Sequence, residues 1–207
     1  MKKFYCILAF SLLALNGICG TFTKTADHCY DYTGDIESSD VDQLTQLSKD
    51  NKSLTITINS YGGEYEAGLD LGRFTNSHGI KIVVDVARSA AGLWALGDRH
   101  VKYLTKASNI LLHLPYTLSD EPTSSPELWM IDGALLQIYC TDVIGWSKEK
   151  SLFILHEMTE LREKYGINAG IEIDADGQIY EVYPKPTKKL PAITVPPIAF
   201  FLYIYQP

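Results

Sequence analysis

Three short segments hold the residue types that can break an acyl bond. Ala87-Arg88-Ser89-Ala90-Ala91-Gly92 sets a serine between an apolar, β-branched stretch and a run of small residues. A hydroxyl at such a junction is where a nucleophile is commonly held, and a helix beginning there favours negative charge near its first amides. Ile110-Leu111-Leu112-His113-Leu114-Pro115 ends an apolar strand on an imidazole, a group able to take a serine proton near neutral pH. Ile58-Asn59-Ser60-Tyr61-Gly62-Gly63 ends another strand on two glycines, whose N–H groups no side chain shields and which can hold an oxyanion. Each segment also has a plainer reading: a helix-capping serine, a hydrogen-bonded core histidine and an ordinary turn.

The elements around these segments alternate. Leu54 to Ile58 reads as a strand; Ala67, Leu71 and Phe74 recur at helical spacing, and His78-Gly79 ends that helix. Ile80 to Val86 reads as a strand buried on both faces, Ser89 to Leu96 as a closely packed helix, and Asn109 to His113 as a further strand. This order predicts right-handed crossovers and a largely parallel α/β sheet. Upstream, Thr21 to Thr33 reads as irregular, Gly34-Asp35-Ile36 as a turn into a short strand, and Asp40 as the cap of a helix carrying Val41, Leu44 and Leu47. Downstream, a polar loop runs to Ser125, a long helix starts at Pro126, and a second begins at Ser147 and stops at Gly166. Asp174-Ala175-Asp176-Gly177 joins two strands of a hairpin.

The segments, in this order, resemble the proteolytic subunit of Clp protease. That family carries a strand ending INSPGG, a nucleophile in AASMGA and a histidine in IHQP; here the same places read INSYGG, ARSAAG and LHLPY. The resemblance runs from about Gly34 to Ile173 and implies the ClpP/crotonase fold of repeated ββα units. It implies Ser89 as nucleophile, His113 as general base, and the amides of Gly63 and Ala90, with Gly62, as the oxyanion hole. Tyr61 stands where the family has proline. The third residue departs further: where the family has an aspartate before a Tyr-Gly-Leu segment, here Tyr165-Gly166-Ile167, this chain has Phe153, Ile154 and Leu155. Glu157 is the nearest acid and the candidate third member, with Asp142 more distant. Arg88 reads as a structural ion-pair residue, the alternative being a ligand for a substrate carboxylate.

The expected activity is hydrolysis of a peptide or protein substrate, with no metal and no organic cofactor. The alternative is an inactive ClpP-like scaffold, which the displaced acid favours. A thioester enzyme of the crotonase type is a third reading, against which the Ser-His pair and export both count. Self-association into a homo-oligomer is expected, with the long helix and the C-terminal tail as contact surfaces. A net charge of −7 over 207 residues, without a strong Lys/Arg cluster, excludes nucleic acid as an obvious partner.

Lys2 and Lys3, the apolar run Phe4 to Leu15 and the small residues up to Gly20 have the order of a secretory signal peptide. The expected organisation is therefore a signal at 1–20, one domain at 21–183 and a Pro-rich apolar tail at 184–207. An exported protein, periplasmic or secreted, has no ATP to use, so no ATPase partner is expected. Of four cysteines, Cys29 and Cys140 remain in the mature chain, either paired or as two thiols. Trp94, Trp129 and Trp146 read as core or interface aromatics, His78, His100 and His156 as surface residues, and Asp120 and Glu121 as solvated loop acids.

Overall fold

The computed structural model describes residues 20–50, 53–115, 126–166, 168–183 and 188–189, with the side chains of residues 50, 126–132 and 188–189 outside the description. The segment before Gly20 that the sequence reads as a signal, the loop carrying Asp120 and Glu121, the Trp129 side chain and nearly all of the tail therefore lie outside the described residues. Among those described, no helix is long and apolar enough to cross a membrane.

A mixed sheet organises the chain, in the order β1-β2-β3-β4-β6-β7-β8-β9, with β5 beside β4. Its centre is parallel: β2 (Cys29–Thr33), β3 (Thr55–Ser60), β4 (Lys81–Arg88) and β6 (Asn109–Leu112) run the same way, as does short β5 (Lys102–Tyr103). Helices α1 (Ser38–Asp50), α2 (Tyr65–His78) and α3 (Ala90–Ala95) supply the crossovers that parallel pairing requires. The flanks are antiparallel: β1 (Thr21–Ala26) on one side, and β7 (Gly170–Asp174), β8 (Ile179–Val182) and β9 (Lys188–Lys189) on the other. Helices α4 (Pro126–Tyr139) and α5 (Lys148–Tyr165), joined through a π-helical turn at Cys140–Ile144, complete the order. This is the α/β architecture with a parallel centre that the alternation of elements predicts.

Alternation along the strands sets the core. Ile56, Ile58, Ile82, Val84, Ile110 and Leu112 are buried, and Trp94 of α3 is fully enclosed with its indole N–H donating to Thr75 Oγ1 at 2.9 Å. Phe22, Tyr32 and Trp94 meet edge to face, at centroid distances of 4.9 Å and 4.8 Å about Tyr32.

Two expectations need correction. Thr21 to Thr33 is not irregular: β1 and β2 form a hairpin, turning at His28 with φ 61°. Its alternating Thr, Phe and Tyr residues form strand once β3 offers β2 a parallel partner. Asp40 lies inside α1 instead of capping it, and its Oδ2 reaches back to accept the Glu37 N–H at 2.8 Å and the Tyr32 hydroxyl at 2.7 Å. Cys29 and Cys140 are both free thiols, and burial pushes that of Cys140 up to about 12. His78, His100 and His156 lie on the surface.

Candidate active site

Ser89 sits in the sharp turn between β4 and α3 with φ 54° and ψ −124°, one of two described non-glycine residues with positive φ. That conformation costs a β-carbon-bearing residue on the order of 1–3 kcal/mol, so the surroundings must enforce it. They do so from both sides. The Ser89 N–H donates to the Leu111 carbonyl at 2.8 Å, and the Ser89 carbonyl accepts from Gly92 N–H at 3.0 Å and Leu93 N–H at 3.2 Å. A Cβ on Gly92 would lie 2.8 Å from Leu111 O, so the missing side chain is what lets α3 close onto β6. The Ser89 hydroxyl makes no capping bond to α3. Ser89 is thus the N-cap of α3 by backbone position only, and it stands half-buried at the apex of a strained strand-to-helix turn.

The glycine turn lies against it. Gly62, at φ 117°, approaches so closely that a Cβ there would be 2.6 Å from Ser89 Cβ and 3.2 Å from Ser89 Oγ. Buried Ser60 shapes this turn by donating to Gly34 O at 2.7 Å and accepting the Gly62 N–H at 3.1 Å. The Gly62 amide is thus committed. Gly63 pairs with Ile36 as an isolated parallel bridge, in which Ile36 bonds to Gly62 O and Glu64 N and leaves the Gly63 N–H facing the other way. Among the described residues, neither the Gly63 nor the Ala90 N–H finds an acceptor.

His113 follows β6, the strand beside β4, where Arg88 pairs with Leu111. Ser89 and His113 therefore leave the same ends of adjacent parallel strands. The imidazole is half-buried, with Nδ1 2.8 Å from the carbonyl oxygen of Leu114. A carbonyl can only accept, so in this bond Nδ1 carries the hydrogen, and the neutral ring keeps its lone pair on Nε2. Burial holds the His113 pKa below the ordinary histidine value; the Leu114 bond opposes that shift, and the nearby Arg162 cation adds to it. Arg162 lies on α5 and donates to Pro115 O at 2.8 Å. The backbone carbonyl and this cation are the neighbours that sequence reasoning missed. The Pro115 after His113 gave a hint of fixed geometry, but nothing in the sequence marked Arg162.

The two candidate acids lie on α5 and in the π-helical turn. Glu157 is half-buried on α5, turned from Arg162 by about 140° at 100° per residue. Asp142 lies in the π-helical turn, where its carbonyl accepts from Arg99 at 2.8 Å and its carboxylate from Thr141 at 3.1 Å. Arg99 and Asn76 bind that turn beyond the C-terminal end of α3, whereas Ser89 is at the N-terminal end. Arg88 departs from the expected ion-pair role: among the described residues it forms no ion pair, and its buried Nε has no hydrogen-bond partner. No group of three or more His, Cys, Asp or Glu side chains among the described residues is placed to hold a metal.

Residues 30–129 match the family model of Clp protease, a span that contains the Gly62-Gly63 turn, Ser89 and His113. Among solved structures, ClpP1 from Listeria monocytogenes is 19% identical with a TM-score of 0.43, covering 60% of this chain and 76% of that one. An asparagine-to-aspartate mutant of the same protein gives 20% identity and a TM-score of 0.44, covering 62% of this chain and 79% of that one. No curated protein matches the chain.

Proposed function

We propose that this chain, whose residues 30–129 match the family model of Clp protease, is a serine peptidase in which Ser89 and His113 cleave peptide bonds. The observation that carries this reading is the strained Ser89 turn with its hydroxyl pressed against Gly62. In the reaction Ser89 Oγ attacks the peptide carbonyl while His113 Nε2 takes its proton. The N–H groups of Gly63 and Ala90 stabilise the oxyanion, and His113 returns the proton to the leaving amine. Water then enters as the second nucleophile and releases the acyl group from Ser89.

The Leu114 carbonyl gives His113 Nδ1 the acceptor that a carboxylate supplies in a three-residue centre. The pair can therefore work as a dyad, with Glu157 as a secondary contributor. The protein is a homo-oligomer in this reading, associating through α4, where Leu135 and Ile138 are 37% and 53% exposed. The charged start and apolar run at 1–20 support export.

A fluorophosphonate probe tests the proposal. Mass spectrometry of labelled wild type should place the adduct on Ser89, and Ser89→Ala should take no label. A competing reading, an inactive ClpP-like scaffold, is favoured by the Arg162 cation beside His113. Folded protein that stays unlabelled from pH 6 to 9 would support the scaffold.

A further inference from the structure

Arg88 immediately precedes Ser89, and the two face the dipeptide Tyr61-Gly62 residue by residue. Gly62 packs on Ser89, while the Arg88 guanidinium lies over the Tyr61 ring, 5.2 Å from its centroid. Tyr61 is 69% exposed, so the cation rests on a platform open to solvent. Arg88 pairs with Leu111 and Leu111 with Glu172, which puts all three side chains on one face of the sheet. Arg88 and Glu172 feel each other electrostatically but do not join in an ion pair. The result is a half-buried guanidinium beside the nucleophile, with no carboxylate bound to it among the described residues and with its Nε buried and unbonded. A planar guanidinium stacked on an aromatic ring suits a carboxylate, which it can grip through two parallel N–H bonds.

We propose that Arg88, backed by Tyr61, binds a carboxylate of the substrate and makes the centre selective for peptides with an acidic residue near the scissile bond. This rests on the peptidase reading for its meaning in catalysis, but not for the binding itself. Glu172 is the competing carboxylate on the same face, so its removal should strengthen the site.

The test uses Ser89→Ala protein, which cannot turn over peptide. Fluorescence titration would compare alanine pentapeptide amides carrying one Glu, scanned through each position, with their Gln counterparts. At the favoured position the Glu peptide should bind about tenfold more tightly. Arg88→Gln in the same background should abolish that preference, Tyr61→Ala should weaken it, and Glu172→Gln should enlarge it. Equal affinity for Glu and Gln peptides at every position overturns the proposal, as does a preference that survives Arg88→Gln. Fluorophosphonate labelling of wild type keeps the two readings apart. An intact Glu preference without labelling of wild type removes the peptidase and leaves the carboxylate site; labelling without the preference does the reverse.

Discussion

Gly62 and Ser89 are in contact at a distance that leaves no room for one more carbon: a Cβ on the glycine would lie 2.6 Å from the serine Cβ. Two turns far apart in sequence thereby fix each other, one holding amides and the other a hydroxyl. Gly62→Ala should break this arrangement, because the new methyl must push Ser89 aside and φ 117° is strained for alanine. A displacement near 1 Å in a reacting group costs on the order of a hundredfold in rate. The fluorophosphonate labelling rate, measured on protein shown to be folded by circular dichroism, should fall by about that factor.

The backbone at Ser89 makes a prediction about stability that is independent of activity. Glycine adopts φ 54° and ψ −124° without the strain that a β-carbon brings. Ser89→Gly should therefore be about 1 kcal/mol more stable than Ser89→Ala in urea denaturation, although neither should take the fluorophosphonate label. Equal midpoints would mean that the turn stores no strain.

The pH dependence follows from His113. A general base works when neutral, and burial lowers the pKa of this ring below 6.5. Labelling should rise with pH through a midpoint below that value and stay flat through neutral pH. Arg162→Gln removes the cation that adds to the shift, so its midpoint should move upward. The sign for folding agrees: the unfolded chain takes up a proton at this site before the folded chain does. The contribution of His113 to stability is therefore full above 6.5 and declines as the pH falls towards the depressed value.

Glu172 has the opposite sign. Burial raises its pKa above 4.5, with Arg88 opposing and Asp174 assisting. Its contribution to stability is present below 4.5 and is lost as the pH rises through the folded-state value. Glu172→Gln should raise the melting temperature at pH 7 relative to wild type, and the gap should close below pH 4.5.

The α4 surface carries the prediction about assembly. Light scattering should find wild type as a multimer, and Ile138→Glu should shift it towards monomer without loss of helical signal, because Ile138 is 53% exposed within the protomer.

What the sequence disclosed depended on how local the signal was. Ser89 and its neighbours were legible because a small-residue run must follow a buried strand for α3 to close onto β6. Gly79 and Gly177, at φ 63° and 72°, were legible because such turns favour glycine. The β1–β2 hairpin was hidden, since its polar alternation becomes strand only beside β3. Arg162 was hidden for a related reason: α5 brings it to Pro115 across a long sequence separation, and no local spacing records that contact. The Leu114 carbonyl was invisible because every residue has one, and only the ring orientation of His113 gives it a role.

The central claim is that His113 and Ser89 share a proton, and nitrogen-15 NMR of the imidazole tests it most directly. Free protein should show the hydrogen on Nδ1 and titrate below 6.5. Once a phosphonate is attached to Ser89, its oxygen should accept from Nε2 and the titration should move upward by about one unit. A His113 titration that is the same with and without the adduct, or a folded protein that forms no adduct, would contradict the account.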